Sequence, residues 1–293
     1  MATVTRPRRS VLYMPGSNTR ALEKAKTLAA DGLILDLEDA TAPDAKEEAR
    51  RNVVAAAGQY GKREVLIRVN GLNTPWGHDD IKAAASSEAD GILLPKVESA
   101  DAVRLCERIM DEAGAPADMA IWCMMETPLG ILHAEEIANA TPRMGGFVMG
   151  TSDLAKDLHA EHTKMRLPFV TSLGLCALAA RAYGLALLDG VYLDLQDDEG
   201  FKESCVQGRE FGFDGKTLIH PKTIGMANEA FAPSAEQVEW SRRIIDAHAE
   251  AVKEGKGVVV VDGKLIENLH VENAKRLVSL SEQIDELDAA AGA

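Results

Sequence analysis

Residues 122–130 read WCMMETPLG. The run from Met119 to Met125 is almost wholly apolar, as a buried strand is, yet it ends on a carboxylate, Glu126, followed by Thr-Pro. Residues 146–155, GFVMGTSDLA, repeat the event: an apolar run, small residues, then Asp153. A parallel barrel produces this pattern, because its strands are covered on both faces and its functional groups project from the carboxyl ends.

The same beat of apolar run, turn and amphipathic helix extends in both directions. Candidate strands are SVLYM (10–14), GLILDLE (32–38), VLIRVN (65–70), GILLPKV (91–97), MAIWCMME (119–126), GGFVMG (145–150), ALLDGVY (186–192) and TLIHP (217–221). Between them lie helical stretches such as TRALEKAKTLAA (19–30), PDAKEEARRNVVAAAGQ (43–59), SADAVRLCERIMDEAG (99–114) and VTSLGLCALAARAYG (170–184). Eight such units predict an α/β chain with a (β/α)8 TIM barrel over residues 1–232. A doubly wound dinucleotide fold is disfavoured because no GxGxxG follows the first strand.

After Phe231 the pattern changes. Residues 233–293 read as a C-terminal helix–hairpin–helix extension, an accessory lid or oligomerisation segment. A polar helix with a Ser N-cap and a Gly stop comes first. A hairpin about Asp262-Gly263 follows, then a last helix from Val271 to Leu287, with DAAAGA (288–293) expected to fray.

The chain has 293 residues, 46% of them apolar and 4% aromatic, enough for a large core of aliphatic strands and Ala/Leu helices. A net charge of −14 argues against nucleic acid or an anionic membrane as partner, while leaving room for a small anionic substrate. Cys106, Cys123, Cys176 and Cys205 form no CxxC pair and read as buried thiols of a reducing compartment. No apolar stretch follows the basic start MATVTRPRRS, and no run approaches a membrane span, so a cytoplasmic location is expected.

The polar residues at the strand ends are Asp36, Glu38 and Asp39; Arg68 and Asn70; Lys96 and Glu98; Glu126; Thr151, Ser152 and Asp153; and His220. Glu126 and Asp153 come from neighbouring strands, so their carboxylates can meet at one point. Two carboxylates without His or Cys favour magnesium, or manganese in its place, with water and substrate oxygens completing the shell. The alternative is that each acid caps the next helix or pairs with a base. Arg68 ends a buried run and needs an anion: either a substrate carboxylate gripped by its fork, or a structural pair with Asp36 or Glu38. Some of the LDLEDA acids would then orient Arg68, Lys96 or metal-bound water. His220 is a site donor or a core histidine; His133, His159, His162, His248 and His270 read as surface or packing residues. The turn YMPGSNTR offers either a phosphate site with Arg20 or a simple helix cap. A carboxylate clamp beside a divalent ion suggests a 2-oxo or β-hydroxy acid, with bond making or breaking next to a carbonyl.

Across nearly its whole length the chain resembles the citrate lyase β-subunit/HpcH–HpaI aldolase family of CoA-ester lyases. The motifs are RSVLYMPGSNTRALEKA, LILDLEDA, IRVNG, LLPKVES, METPLGI, MGTSDLAKDL, DGVYLD, GFDGKTLIHP and GVVVVDGKLIENLHV. Within it, GLCALAARAYGL and ENLHV resemble the malyl-CoA thioesterase branch. The resemblance implies that Glu126 and Asp153 ligate magnesium. It implies that Arg68, helped by backbone N–H groups from Gly150 through Thr151 to Asp153, holds the substrate carboxylate. Tyr13, Arg20, Lys24, Ile219 and His220 would line a coenzyme A site, with Arg20 replacing an Arg that relatives carry where Asn18 stands. Glu267, in LIENLH, takes the place of an Asp that relatives deliver as acid/base from an adjacent subunit, and it would serve its own barrel or the next in a homotrimer or homohexamer. The implied enzyme is magnesium-dependent and acts on malyl-CoA-type 3-hydroxyacyl-CoA esters by net hydrolysis to malate and CoA. The alternatives are a retro-Claisen lyase (malyl-, methylmalyl- or citramalyl-CoA) releasing acetyl- or propionyl-CoA and glyoxylate or pyruvate, and an inactive metabolite-binding scaffold.

Overall fold

The computed structural model describes residues 6–291. Eight parallel strands close on themselves in chain order: β1 Ser10–Pro15, β2 Gly32–Asp36, β3 Glu64–Arg68, β4 Gly91–Leu94, β5 Ala120–Met125, β6 Met144–Met149, β7 Ala186–Asp189 and β8 Gly215–Leu218. Pairing of β1 with β8, from Ser10↔Lys216 to Leu12↔Leu218, seals the barrel. Around it run α1 Thr19–Ala25, α2 Lys46–Ala56, α3 Gly77–Ala85, α4 Ala100–Glu112, α5 Pro128–Leu132, α6 Ala134–Ala138, α7 Thr151–Leu158, α8 Val170–Ala182, α9 Asp198–Glu210 and α10 Ile224–Phe231.

Strand alternation sorts the core into two layers. Leu33, Leu35, Ile67, Ile92, Cys123 and Phe147 face outward into the helical ring. Val11, Ile34, Leu66, Leu93, Trp122, Met124, Val148 and Leu188 fill the barrel interior. Trp122 plugs it from β5, and a Cβ on Gly146 of β6 would fall 2.4 Å from the indole, so the neighbouring strand must carry glycine there. The inward sequence continues at the carboxyl ends with Tyr13, Asp36, Arg68, Glu126, Gly150 and Thr217, which line a cavity at the mouth.

Every predicted strand is present, but several stop before their apolar run does. β2 ends at Asp36 and β4 at Leu94, so Glu38 and Lys96 lie in loops. The first helix is also shorter than its periodicity predicts: it ends at Ala25, and turns continue the chain.

Contacts divide the chain into two units, one from Arg8 to Phe231 and a second beginning at Ala232. In the second, α11 Ala235–Lys253 opens on a capping box in which the Ser234 hydroxyl and the Gln237 side chain each bond the other's backbone. Strands β9 Val259–Val261 and β10 Lys264–Ile266 pair antiparallel about Asp262 and Gly263, whose φ values of 47° and 75° make the two-residue turn. Helix α12 Asn268–Ala291 begins three residues earlier than predicted and absorbs most of the stretch expected to fray. Residues Asp288 to Ala291 are helical, and Gly292 and Ala293 lie outside the described residues. Ile244, Ile266, Val271 and Ala274 form this unit's own core. No described helix is long and apolar enough to cross a membrane.

Candidate active site

Met124 points into the barrel, so two residues later Glu126 does as well, just past the end of β5. It does not cap the following helix. Thr127 performs that task, its hydroxyl accepting from Gly130 N at 3.1 Å, which leaves Glu126 for the cavity. Glu126 Oε1 accepts the backbone N–H of Lys96 at 2.8 Å. Its other oxygen abuts Gly150, where an added Cβ would stand 2.3 Å away. Burial pushes this carboxyl from about 4.5 up to about 7, since one backbone N–H does not replace the lost water.

Asp153 enters from the neighbouring strand's end, in the first turn of α7. Gly150, the residue before α7, has no side chain to cap the helix, and Thr151, Ser152 and Asp153 of its first turn line the cavity. Burial opposes the charge of Asp153, but bonding to the Lys156 ammonium at 3.0 Å and the nearby Lys96 hold its pKa below the ordinary value. Asp153 is thus an ordered anion and Glu126 a carboxyl poised between its two forms.

Across the cavity Arg68 is buried. Its Nε and Nη2 both reach Asp36 at 2.7 Å, and its Nη1 lies 2.8 Å from Glu38. The side-on edge of the fork, expected to grip substrate, is therefore taken by Asp36. Of the two readings of Arg68, the ion pair is formed, and it occupies that edge of the fork. Burial works against the guanidinium charge, and the Asp36 bonds more than restore it. The Tyr13 ring stacks 4.9 Å from the guanidinium carbon, and its hydroxyl donates to Met124 Sδ at 3.4 Å. Asp36 also accepts from Glu38 N and Ala40 N, so it orders its own loop. Asp39 is exposed, 3.6 Å from Arg68.

Glu38 bonds the Lys96 ammonium, which also lies 3.6 Å from Asp153 Oδ2. Burial raises the Glu38 carboxyl despite Arg68 and Lys96. Sequence reasoning passed over Lys46, whose buried ammonium donates to Leu37 O, Glu38 O and Asn70 Oδ1, all at 2.7 Å, and so fixes the loop that carries Glu38. It also passed over Met124, Thr217 and Val191, which line the cavity. Period-two alternation from Trp122 and from Thr217 to Ile219 was the available signal for Met124 and Thr217.

The predicted coenzyme A residues separate. Tyr13 and Ile219 line the same cavity of about 340 Å³ as Arg68, Glu126, Gly150, Thr151 and Asp153. Arg20 and Lys24 are exposed on α1, whose cap is Asn18, accepting from Ala21 N at 3.1 Å. His220 is exposed and its Nδ1 accepts from Lys222 N, which makes it a cap of the turn at Pro221. Glu267 belongs to the second unit, exposed between β10 and α12, with its N–H donating to His270 Nδ1.

The donor chemistry fits magnesium. Among the described residues no cluster of three or more His, Cys, Asp or Glu side chains could hold a metal alone. Two carboxylates on a cavity wall leave the remaining octahedral positions to water and substrate, the arrangement in which magnesium is commonly bound.

Residues 9–221 match the HpcH/HpaI aldolase/citrate lyase family. The chain belongs to this family. Over 97% of its length it is 50% identical to a (3S)-malyl-CoA thioesterase of Cereibacter sphaeroides, covering 98% of that protein. It is 34% identical to the citrate lyase β subunit of Escherichia coli, over 95% of this chain and 94% of that one. Among solved structures it resembles CitE of Mycobacterium tuberculosis in complex with magnesium, acetoacetate and coenzyme A. The TM-score is 0.74 and the identity 27%, over 95% of this chain and all of the other. The family match spans all eight strands of the barrel, from β1 to β8.

Proposed function

We propose that the protein is a magnesium-dependent enzyme that hydrolyses malyl-CoA-type 3-hydroxyacyl-CoA esters to the hydroxy acid and CoA. The observation that carries this is the convergence of Glu126 and Asp153 on one cavity opposite Arg68, in a chain half identical to a malyl-CoA thioesterase. Glu126 and Asp153 would hold the ion, manganese being an acceptable substitute, and when bound it would polarise the oxygens of the acyl group. Arg68, pinned by Asp36, presents its free N–H groups to the distal carboxylate, and the open first turn of α7 accepts the same anion. Thioester hydrolysis forms a bond from water oxygen to the carbonyl carbon and breaks the carbon–sulfur bond, with a proton ending on the thiol. Glu267 is assigned the transfer of that proton. Tyr13, Ile219 and, from the exposed helix α1, Arg20 and Lys24 are assigned to coenzyme A, with His220 beside them.

The second unit is read as an accessory lid and oligomerisation segment of a homotrimer or homohexamer. The exposed Leu132, Leu175 and Leu178 on the barrel's outer helices also favour self-association. Four free, buried cysteines favour a reducing, cytoplasmic setting.

Cleavage of the carbon–carbon bond is the second reading, favoured by the likeness to citrate lyase β subunits. Incubation of malyl-CoA with the protein, with and without magnesium, separates the two. Free CoA and malate without glyoxylate is the expected product set; glyoxylate with acetyl-CoA establishes the lyase. No product from malyl-, methylmalyl- or citramalyl-CoA would overturn the substrate class.

A further inference from the structure

Lys96 touches both candidate metal ligands, and by different atoms. It follows β4 in the stretch LPKVES with φ at 48°, a left-handed conformation uncommon outside glycine. Its backbone N–H points at Glu126 Oε1, 2.8 Å away. Its ammonium bonds Glu38 and stands 3.6 Å from Asp153 Oδ2.

We infer that the Lys96 ammonium competes with a divalent ion for Asp153 and so sets how tightly the Glu126–Asp153 pair binds one. The inference rests on the reading of Glu126 and Asp153 as the metal pair. Its physical basis is charge balance. Asp36 is matched by Arg68 through two bonds. Glu38 is shared between the Lys96 ammonium and Arg68 Nη1, Asp153 between the ammoniums of Lys96 and Lys156, and Glu126 takes the backbone N–H of Lys96. A dication held by Asp153 would be repelled by the Lys96 ammonium that the same carboxylate attracts. The bond to Glu38 holds the ammonium at the cavity wall. Lys156 also pairs with Asp153, so removing the Lys96 ammonium does not strand that carboxylate. The backbone N–H to Glu126 is independent of the side chain, so a substitution at Lys96 can leave it in place.

Because the two roles use different atoms, substitution separates them. Lys96→Met removes the ammonium and keeps the N–H. Lys96→Gly does the same and suits the positive φ, so it folds even where Lys96→Met does not. Magnesium is titrated calorimetrically into the metal-free wild type and both variants, and thermal melting is recorded without metal. Removal of a competitor for Asp153 is expected to tighten magnesium binding roughly three- to tenfold in each folded variant. It is also expected to lower the metal-free melting temperature of Lys96→Met. Wild-type binding that the variants match or fall below overturns this inference alone. A wild type that takes up no magnesium overturns the metal pair, and the inference with it.

Discussion

Two clusters of buried charge sit on the same barrel and are built in opposite ways. At the outer side of β7 and β8, Asp189 is fully buried, yet both its oxygens are satisfied. Arg166 Nη1 reaches them at 2.7 and 2.8 Å, Lys216 Nζ at 2.8 Å and Gly190 N at 2.8 Å. Burial pushes its pKa up, and Lys216 and Arg166 more than cancel that, so it stays below the ordinary range. At the mouth, Glu126 is nearly as buried but has one backbone donor, and its pKa rises to about 7. Similar burial with opposite shifts separates a carboxylate held by Arg166, Lys216 and Gly190 from one that accepts a single backbone N–H. The closed network anchors the loop before α8, because Arg166 also bonds Gln207 and Ser204 O.

The sharpest way to break this comparison is to neutralise both acids. Asp189→Asn leaves two buried cations short of an anion and should cost about 3–5 kcal/mol in urea unfolding. Glu126→Gln keeps the acceptor for Lys96 N and should stabilise the metal-free protein at pH 8, on the order of 1–3 kcal/mol. A loss of stability in both would erase the distinction.

The pH dependence follows with opposite signs. The folded state holds the Glu126 proton longer than the unfolded chain does, so its contribution to metal-free stability falls as pH rises from about 4.5 to about 7. Asp189 binds its proton less readily when folded, so its contribution is present above about 3.8 and is lost as pH falls below that. Unfolding across pH 3–8 of wild type and Glu126→Gln tests this: the decline toward pH 7 should be steeper in the wild type than in the variant, which keeps only that of the raised Glu38 carboxyl.

Smaller effects sharpen the picture of the open site. Glu267→Gln should lower turnover by roughly 100-fold while magnesium affinity stays within about twofold, since an acid/base and not a ligand is removed; lost metal with retained per-metal activity contradicts that role. Arg68→Lys, which cannot reproduce the paired bonds to Asp36, should raise KM about tenfold or more. An unchanged KM removes Arg68 from the substrate. Gly150→Ala places a methyl against Glu126 and should weaken magnesium by a few-fold, the displaced carboxylate being off its best geometry.

The barrel was legible because strands covered on both faces leave near-continuous apolar runs, from SVLYM to TLIHP. The residues nominated at the strand ends, Arg68, Glu126, Thr151 and Asp153, do meet in one cavity. Where β2 and β4 stop was not legible, because hydrophobicity continues through Leu37 and Val97 into loops. Nor was the partner of Arg68, since Asp36 and Glu38 are equally good anions until backbone geometry selects between edges of the fork. The Asp189 network was missed altogether. Asp189 stands 23 residues from Arg166 and 27 from Lys216, and no local pattern links them. Length of helix was misjudged at both ends of the chain, in α1 and α12, where polar composition does not mark a stop.

Magnesium titration of the metal-free protein beside Glu126→Gln and Asp153→Asn tests the central claim most directly. The open-site account predicts one site per chain in the wild type and at least a 100-fold loss of affinity in each variant, with the folds intact by circular dichroism. Undiminished binding in either folded variant would place the ion elsewhere and contradict it.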